Sequence, residues 1–95
     1  MKKKEIAIHA IIHGRVQGVG YRHWTAQEAL KKDISGWVRN KTDGTVEAVI
    51  QGLPENVNDM IDICYKGPML AKVTKVSTTN TSPENFTGFN QKSTI

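Results

Sequence analysis

Three glycines fall within the seven positions Gly14-Arg15-Val16-Gln17-Gly18-Val19-Gly20, and Tyr21-Arg22 follows at once. Glycine reaches positive φ without Cβ strain, so such a loop can turn successive backbone N–H groups inward toward an oxyanion. If a helix begins at Tyr21, its first turn adds unpaired donors. Arg22 can then fold back and offer a guanidinium fork to phosphate. The stretch is not a nucleotide fingerprint. A G-x-G-x-x-G starting at Gly18 would need glycine where His23 stands, and no Gly-Lys-Ser/Thr occurs in the chain. The anion that suits the loop is small, although an ordinary tight turn followed by a surface arginine explains the glycines alone equally well.

Asn40 ends a short apolar run beside a turn, where asparagine is common because its side chain satisfies turn backbone groups. Brought near the glycine loop, its carboxamide can hold a water through one donor and one acceptor. Other hydrolytic chemistries lack their residues. Cys64 falls on the apolar side of a helical pattern and is followed by Tyr65-Lys66-Gly67, without the nearby arginine that a cysteine phosphate loop needs, so it reads as core. Asp59 and Asp62 fall on the polar side of the same pattern rather than clustering at strand ends. His9, His13 and His23 have no Cys or carboxylate at ligand spacing, so no metal site is expected. His9 reads as a strand residue on the less apolar face, and His23 beside Arg22 is a weak candidate for a general base.

Several elements must position these groups. Glu5 to His13 alternates, with Ile6, Ile8, Ala10 and Ile12 on one side and Ala7, His9 and Ile11 on the other, which predicts a central strand. The glycine loop follows, then a helix from Tyr21 to Lys32 with Tyr21, Thr25 and Ala29, flanked by Ala26 and Leu30, toward the sheet. Ser35–Asn40 and Thr45–Gln51 alternate around Lys41-Thr42-Asp43-Gly44, and Asp-Gly is a strong hairpin signal. Pro54 opens a second helix, with Val57, Met60, Ile61 and Cys64 at i, i+3, i+4, i+7 until Gly67-Pro68 stops it. Ala71, Val73 and Val76 predict a fourth strand and Ser77 to Asn85 a polar loop. Residues 86–95 are expected to form a last edge strand. The order β-α-β-β-α-β predicts an α+β, ferredoxin-like split β-α-β fold, an antiparallel sheet with two helices on one face.

The chain's 95 residues fit one domain. Thirteen Lys and Arg against nine Asp and Glu give a net charge of +4, a modest excess that includes the solvated run Lys2, Lys3 and Lys4. The basic N-terminus precedes only a short, His-interrupted apolar run, so neither a signal peptide nor a membrane span is expected, and the single Cys64 makes no internal disulfide. These features suit a cytoplasmic protein. In the absence of an evident apolar patch, a monomer is the plain reading.

Taken together, His13-Gly14-Arg15-Val16-Gln17-Gly18-Val19-Gly20-Tyr21-Arg22, Gly36-Trp37-Val38-Arg39-Asn40 and Asp43-Gly44-Thr45-Val46-Glu47-Ala48 closely resemble the acylphosphatase family. The resemblance runs from about Ile6 to Val76 in register. It implies hydrolysis of a carboxyl-phosphate anhydride to carboxylate and inorganic phosphate without metal, cofactor or covalent intermediate. By the same resemblance Arg22 matches the family's phosphate-binding arginine, Asn40 its water-orienting asparagine, and the loop from Arg15 to Gly20 its phosphate cradle. Tyr21 stands where the family often has Phe, and Thr42 falls in the loop after Asn40. The chain departs from the pattern after Val76, where Phe86-Thr87-Gly88-Phe89-Asn90-Gln91-Lys92 replaces a clearly alternating strand.

The expected partners are therefore a small acyl phosphate and phosphate. A nucleic-acid binder of the same element order would read bases on sheet aromatics, but aromatic residues make up only 6% of the chain and no Lys/Arg-Gly-Phe/Tyr-Gly/Ala-Phe run is present. The other rival is a non-catalytic phosphate-binding module on the same fold.

Overall fold

The computed structural model describes residues 4–95, so Lys2 and Lys3 of the basic run lie outside the described residues, while Lys4 is exposed. Its elements are β1 (Ile6–Arg15), α1 (Tyr21–Lys31), β2 (Ser35–Asn40), β3 (Val46–Gly52), α2 (Pro54–Lys66), β4 (Lys72–Thr81) and β5 (Phe89–Gln91). The strands form one sheet in the order β4-β1-β3-β2-β5, with both helices on one face. This is the α+β ferredoxin-like arrangement. β3 is buried along its whole length because strands pair with both its edges and α2 packs against it. Ala10, Ile12, Val38, Val46, Ala48 and Ile50 from the sheet meet Tyr21, Ala29, Val57, Met60 and Cys64 from the helices in a core shut off from solvent.

Register fixes what the sheet presents at one end. Ile12 on β1 pairs with Val46, and Val46 pairs with Asn40 on β2. Both β1 and β2 run antiparallel to β3 and thus parallel to each other, so the loop leaving β1 and the last residue of β2 emerge at the same end of the sheet, two strand spacings apart. At about 4.8 Å per spacing that is roughly 10 Å, within reach of a phosphate-sized ligand and the side chains around it.

The structure departs from the sequence expectations in four places. Ser77–Thr81 is strand rather than loop: β4 continues to Thr81, pairing Ser77 with Ile11 and Thr81 with Ala7. The ten-residue β1 offers backbone donors and acceptors along its entire edge, and the backbone of an edge strand can satisfy them while its Thr and Asn side chains stay exposed. Second, the sheet is mixed rather than wholly antiparallel, because β5 lies parallel to β2. Third, of residues 86–95 only Phe89–Gln91 is strand; Phe89 is the buried anchor, and the chain then continues along β2 through bonds from Lys92 N–H to Val38 C=O (2.8 Å) and Ile95 N–H to Asn40 C=O (3.3 Å). Fourth, Leu30 does not face the sheet but is 60% exposed, since Ala29 alone fills that turn of the helix–sheet contact.

Candidate active site

Gly18 and Gly20 take φ of +72° and +80°, the left-handed conformation in which any other residue but Asn or Asp is strained. These two reversals fold the loop back on itself and deliver it to the start of α1, where Gly20 is the N-cap and its carbonyl accepts from Trp24 N–H at 3.0 Å. No side chain caps the helix and its first turn has no acidic residue, so neither the unpaired N–H groups nor the positive end of the helix dipole is compensated from within. A Cβ on either glycine would meet no atom within 4 Å. Backbone conformation, not crowding, makes glycine necessary here.

The loop walls a cavity of about 150 Å³. Val16, Gln17, Gly18, Gly20 and Tyr21 form one side, Arg22 and His23 another, and Asn40 and Gln91 complete it. Hence most of the residues singled out in the sequence come together: seven of them, from Val16 through Arg22 with Asn40, share this wall, but Arg15 and Val19 do not. Arg15 is the last residue of β1, paired with Lys72, and Val19 packs on the hydrophobic core. Thr42 also lies outside the wall; its backbone N–H donates to Ile95 C=O at 2.8 Å.

Arg22 and Asn40 each bring unpartnered polar side-chain atoms to this wall. The Arg22 guanidinium makes no hydrogen bond or ion pair among the described residues, which leaves its donors free for a ligand. Asn40 Oδ1 is buried and has no hydrogen-bond partner. A buried orphan of this kind costs on the order of 1–3 kcal/mol, a cost that a donor from a bound molecule would relieve.

Gln17 has a different task from the one its place in the loop suggests. Its side chain turns toward the β2–β3 hairpin, where Nε2 donates to the carbonyls of Lys41 and Thr45, each at 2.8 Å. The hairpin is itself tied by Lys41 N–H to Thr45 C=O at 2.9 Å, and Asp43 Oδ1 accepts from the Thr45 hydroxyl at 2.6 Å and its N–H at 2.9 Å. Those two bonds from Thr45 hold the exposed Asp43 carboxyl below its usual range. A single amide thus fastens the glycine loop to the turn that follows Asn40. Sequence placed Gln17 in the loop, but nothing in it indicated this contact, and nothing pointed to Gln91, which β5 brings in from the far end of the chain.

The remaining candidates are occupied elsewhere. Tyr21 is buried, its hydroxyl donating to the Cys64 carbonyl at 2.7 Å, and burial pushes its phenol far above the usual range. Burial likewise pushes the Cys64 thiol up to about 12, which removes it as a nucleophile at neutral pH. Among the described residues no three His, Cys, Asp or Glu side chains gather as a ligand group. On the face of the sheet away from the helices, His9 Nε2–H donates to Glu47 at 2.6 Å and Arg39 Nε–H to the other carboxylate oxygen at 2.6 Å. Burial raises Glu47, but these two bonds outweigh it and leave the carboxyl below its ordinary value. The Trp37 ring there carries Arg39 and Lys92, each charge 4.7 Å from its centroid.

The chain is similar to known proteins of one family. The acylphosphatase family model matches residues 8–91. An acylphosphatase of Thermococcus kodakarensis is 50% identical over 86 residues, covering 90% of this chain and 94% of that protein. The crystal structure of the Bacillus subtilis acylphosphatase superposes with a TM-score of 0.89 at 34% identity, over 92% of this chain and 98% of that one. An acylphosphatase structure from Coxiella burnetii gives 0.90 at 30% identity, over 93% of each chain.

Proposed function

This chain belongs to the acylphosphatase family, and from that premise we propose how its cavity carries out the reaction. The activity is hydrolysis of an acyl phosphate to a carboxylate and inorganic phosphate. A carboxylate whose conjugate acid has a pKa near 4 is already a good leaving group. The protein therefore needs neither a general acid nor a nucleophile of its own; positioning and charge stabilisation suffice.

The N–H groups of the loop and of the first turn of α1 hold the phosphoryl oxygens, and the unpartnered Arg22 guanidinium adds a bidentate contact that strengthens as charge builds on those oxygens. Asn40 holds the attacking water. Water oxygen bonds to phosphorus as the P–O bond to the acyl group breaks, the bond's electron pair leaves with the carboxylate, and only after the new P–O bond has formed does one proton of the former water pass to a phosphoryl oxygen. The products are carboxylate and dihydrogen phosphate, balanced in atoms and charge. Gln17 keeps the cradle and the Asn40 hairpin at a fixed separation through its two 2.8 Å bonds.

The observation that carries this reading is the buried, unpartnered Asn40 Oδ1 in the wall of a cavity that also holds an unpaired Arg22. A cavity of about 150 Å³ has room for a phosphoryl group and the attacking water. The lone buried Cys64 thiol suits a reducing compartment, the cytoplasm. Competitive inhibition by inorganic phosphate tests the cradle: Arg22→Ala should weaken it at least tenfold. Undiminished phosphate affinity in that variant would remove Arg22 from the site.

A further inference from the structure

A water that attacks phosphorus must aim an oxygen lone pair at it, so both of its O–H bonds must point elsewhere, into acceptors. Asn40 Oδ1 supplies one. Ordered waters in proteins make about three hydrogen bonds, so a second acceptor beside Asn40 would fix the plane of the water.

Gln91 stands in the same cavity wall as Asn40. Its register partner across the parallel β2–β5 ladder is Val38, whose side chain is in the helix-covered core, so Gln91 and Asn40 extend from the same face of the sheet. Along the strands Asn40 is two residues ahead, about 6.6 Å, and one strand spacing away, about 4.8 Å. Their Cα atoms are thus on the order of 8 Å apart. The extra methylene of glutamine spans this offset, and a single water can bridge the two amide oxygens. The Gln91 amide has no hydrogen-bond partner among the described residues, and α1, which carries Arg22, packs against β5 on the same side.

We propose that Gln91 is a second water-orienting residue, its Oε1 accepting one O–H of the attacking water while Asn40 Oδ1 accepts the other. This rests on the reading of Asn40 given above. The two amides define the plane of the water and turn its lone pair to the phosphorus, and Gln91 contributes nothing to phosphate binding, which belongs to the cradle.

The test is a double-mutant cycle on the full chain with benzoyl phosphate as substrate and inorganic phosphate as inhibitor. Gln91→Leu, of similar size but without an acceptor, should lower kcat on the order of tenfold, the loss of one hydrogen bond to a reacting group. KM and the phosphate inhibition constant should stay within about twofold. Gln91→Glu keeps the acceptor oxygen: kcat should recover most of the loss while KM rises through repulsion of the phosphoryl group. Added to Asn40→Ala, Gln91→Leu should slow turnover by no more than about a further twofold, since both residues hold one water. Gln91 is exposed on the three-residue edge strand, so the variants should melt with the parent. A parental kcat in Gln91→Leu, a Gln91→Glu enzyme as slow as the leucine variant, or multiplying effects in the double variant would each overturn the proposal. Asn40→Ala in the same series separates the two claims: if it too turns over normally, the reading of the site fails, not merely the role of Gln91.

Discussion

Replacing Gln17 by leucine removes both N–H donors while keeping the side chain's bulk. The two carbonyls released are not left orphaned, because Lys41 C=O still accepts from Gly44 N–H at 3.1 Å and Thr45 C=O from Lys41 N–H at 2.9 Å. The stability loss is therefore that of two ordinary hydrogen bonds, about 1–3 kcal/mol in total. For a domain of this size that lowers the melting temperature by roughly 5–15 °C. The kinetic effect should be larger than the structural one implies. Without the clamp, the loop that holds phosphate and the hairpin that follows Asn40 move independently, and misplacement of a reacting atom by about 1 Å costs on the order of 100-fold. Stopped-flow or pH-stat hydrolysis of an aryl acyl phosphate, well below the melting transition, should show kcat reduced between about tenfold and 100-fold with the phosphate inhibition constant nearly unchanged. A variant that melts earlier but retains the parental kcat would refute the clamp. Weakened phosphate binding at a preserved kcat would instead put Gln17 in the cradle as a ligand.

Three further outcomes follow from the same geometry. Arg22→Ala should lose on the order of 10²–10³ in kcat/KM, and Arg22→Lys should recover only part because an ammonium cannot make the bidentate contact, as steady-state kinetics would show. The Cys64 thiol, buried and pushed up to about 12, should not react with a thiol reagent at pH 8 until the chain is denatured, and Cys64→Ser should leave kcat within about twofold, as a colorimetric thiol assay and kinetics would show. Glu47→Gln should cost on the order of 1–3 kcal/mol at pH 7 in urea unfolding. Because the Glu47 carboxyl sits below its ordinary value of 4.5 in the folded state, that cost should be full above pH 4.5 and fade as the pH falls through the lowered value.

Where sequence and structure agree, short-range signals carried the information. The Asp-Gly hairpin, the apolar spacing of Val57, Met60 and Cys64, and the glycines before Tyr21 each state a local backbone preference that the fold did not override. The glycine loop and Asn40 were legible as candidates for the same reason, but their meeting depends on β3 lying between their strands, which no local pattern specifies. Ser77–Thr81 read as loop because an edge strand exposed to water need not be apolar; what makes it a strand is the unpaired edge of β1. Gln17 was legible as part of a loop, not as a clamp, since its partners lie 24 and 28 residues away. Gln91 was invisible altogether: it sits in a polar C-terminal stretch whose only strong anchor is Phe89, and its place beside Asn40 comes from a parallel pairing with β2.

The central claim is that a water held by Asn40, facing a phosphate held by the loop and Arg22, performs the hydrolysis. Its most direct test is the turnover of benzoyl phosphate by the parent and by Asn40→Ala, with and without chelator. The account predicts chelator-independent turnover in the parent, and in the variant a kcat lower by on the order of 100-fold or more with phosphate inhibition unchanged. An Asn40→Ala enzyme that is folded and hydrolyses the substrate at the parental rate would contradict it.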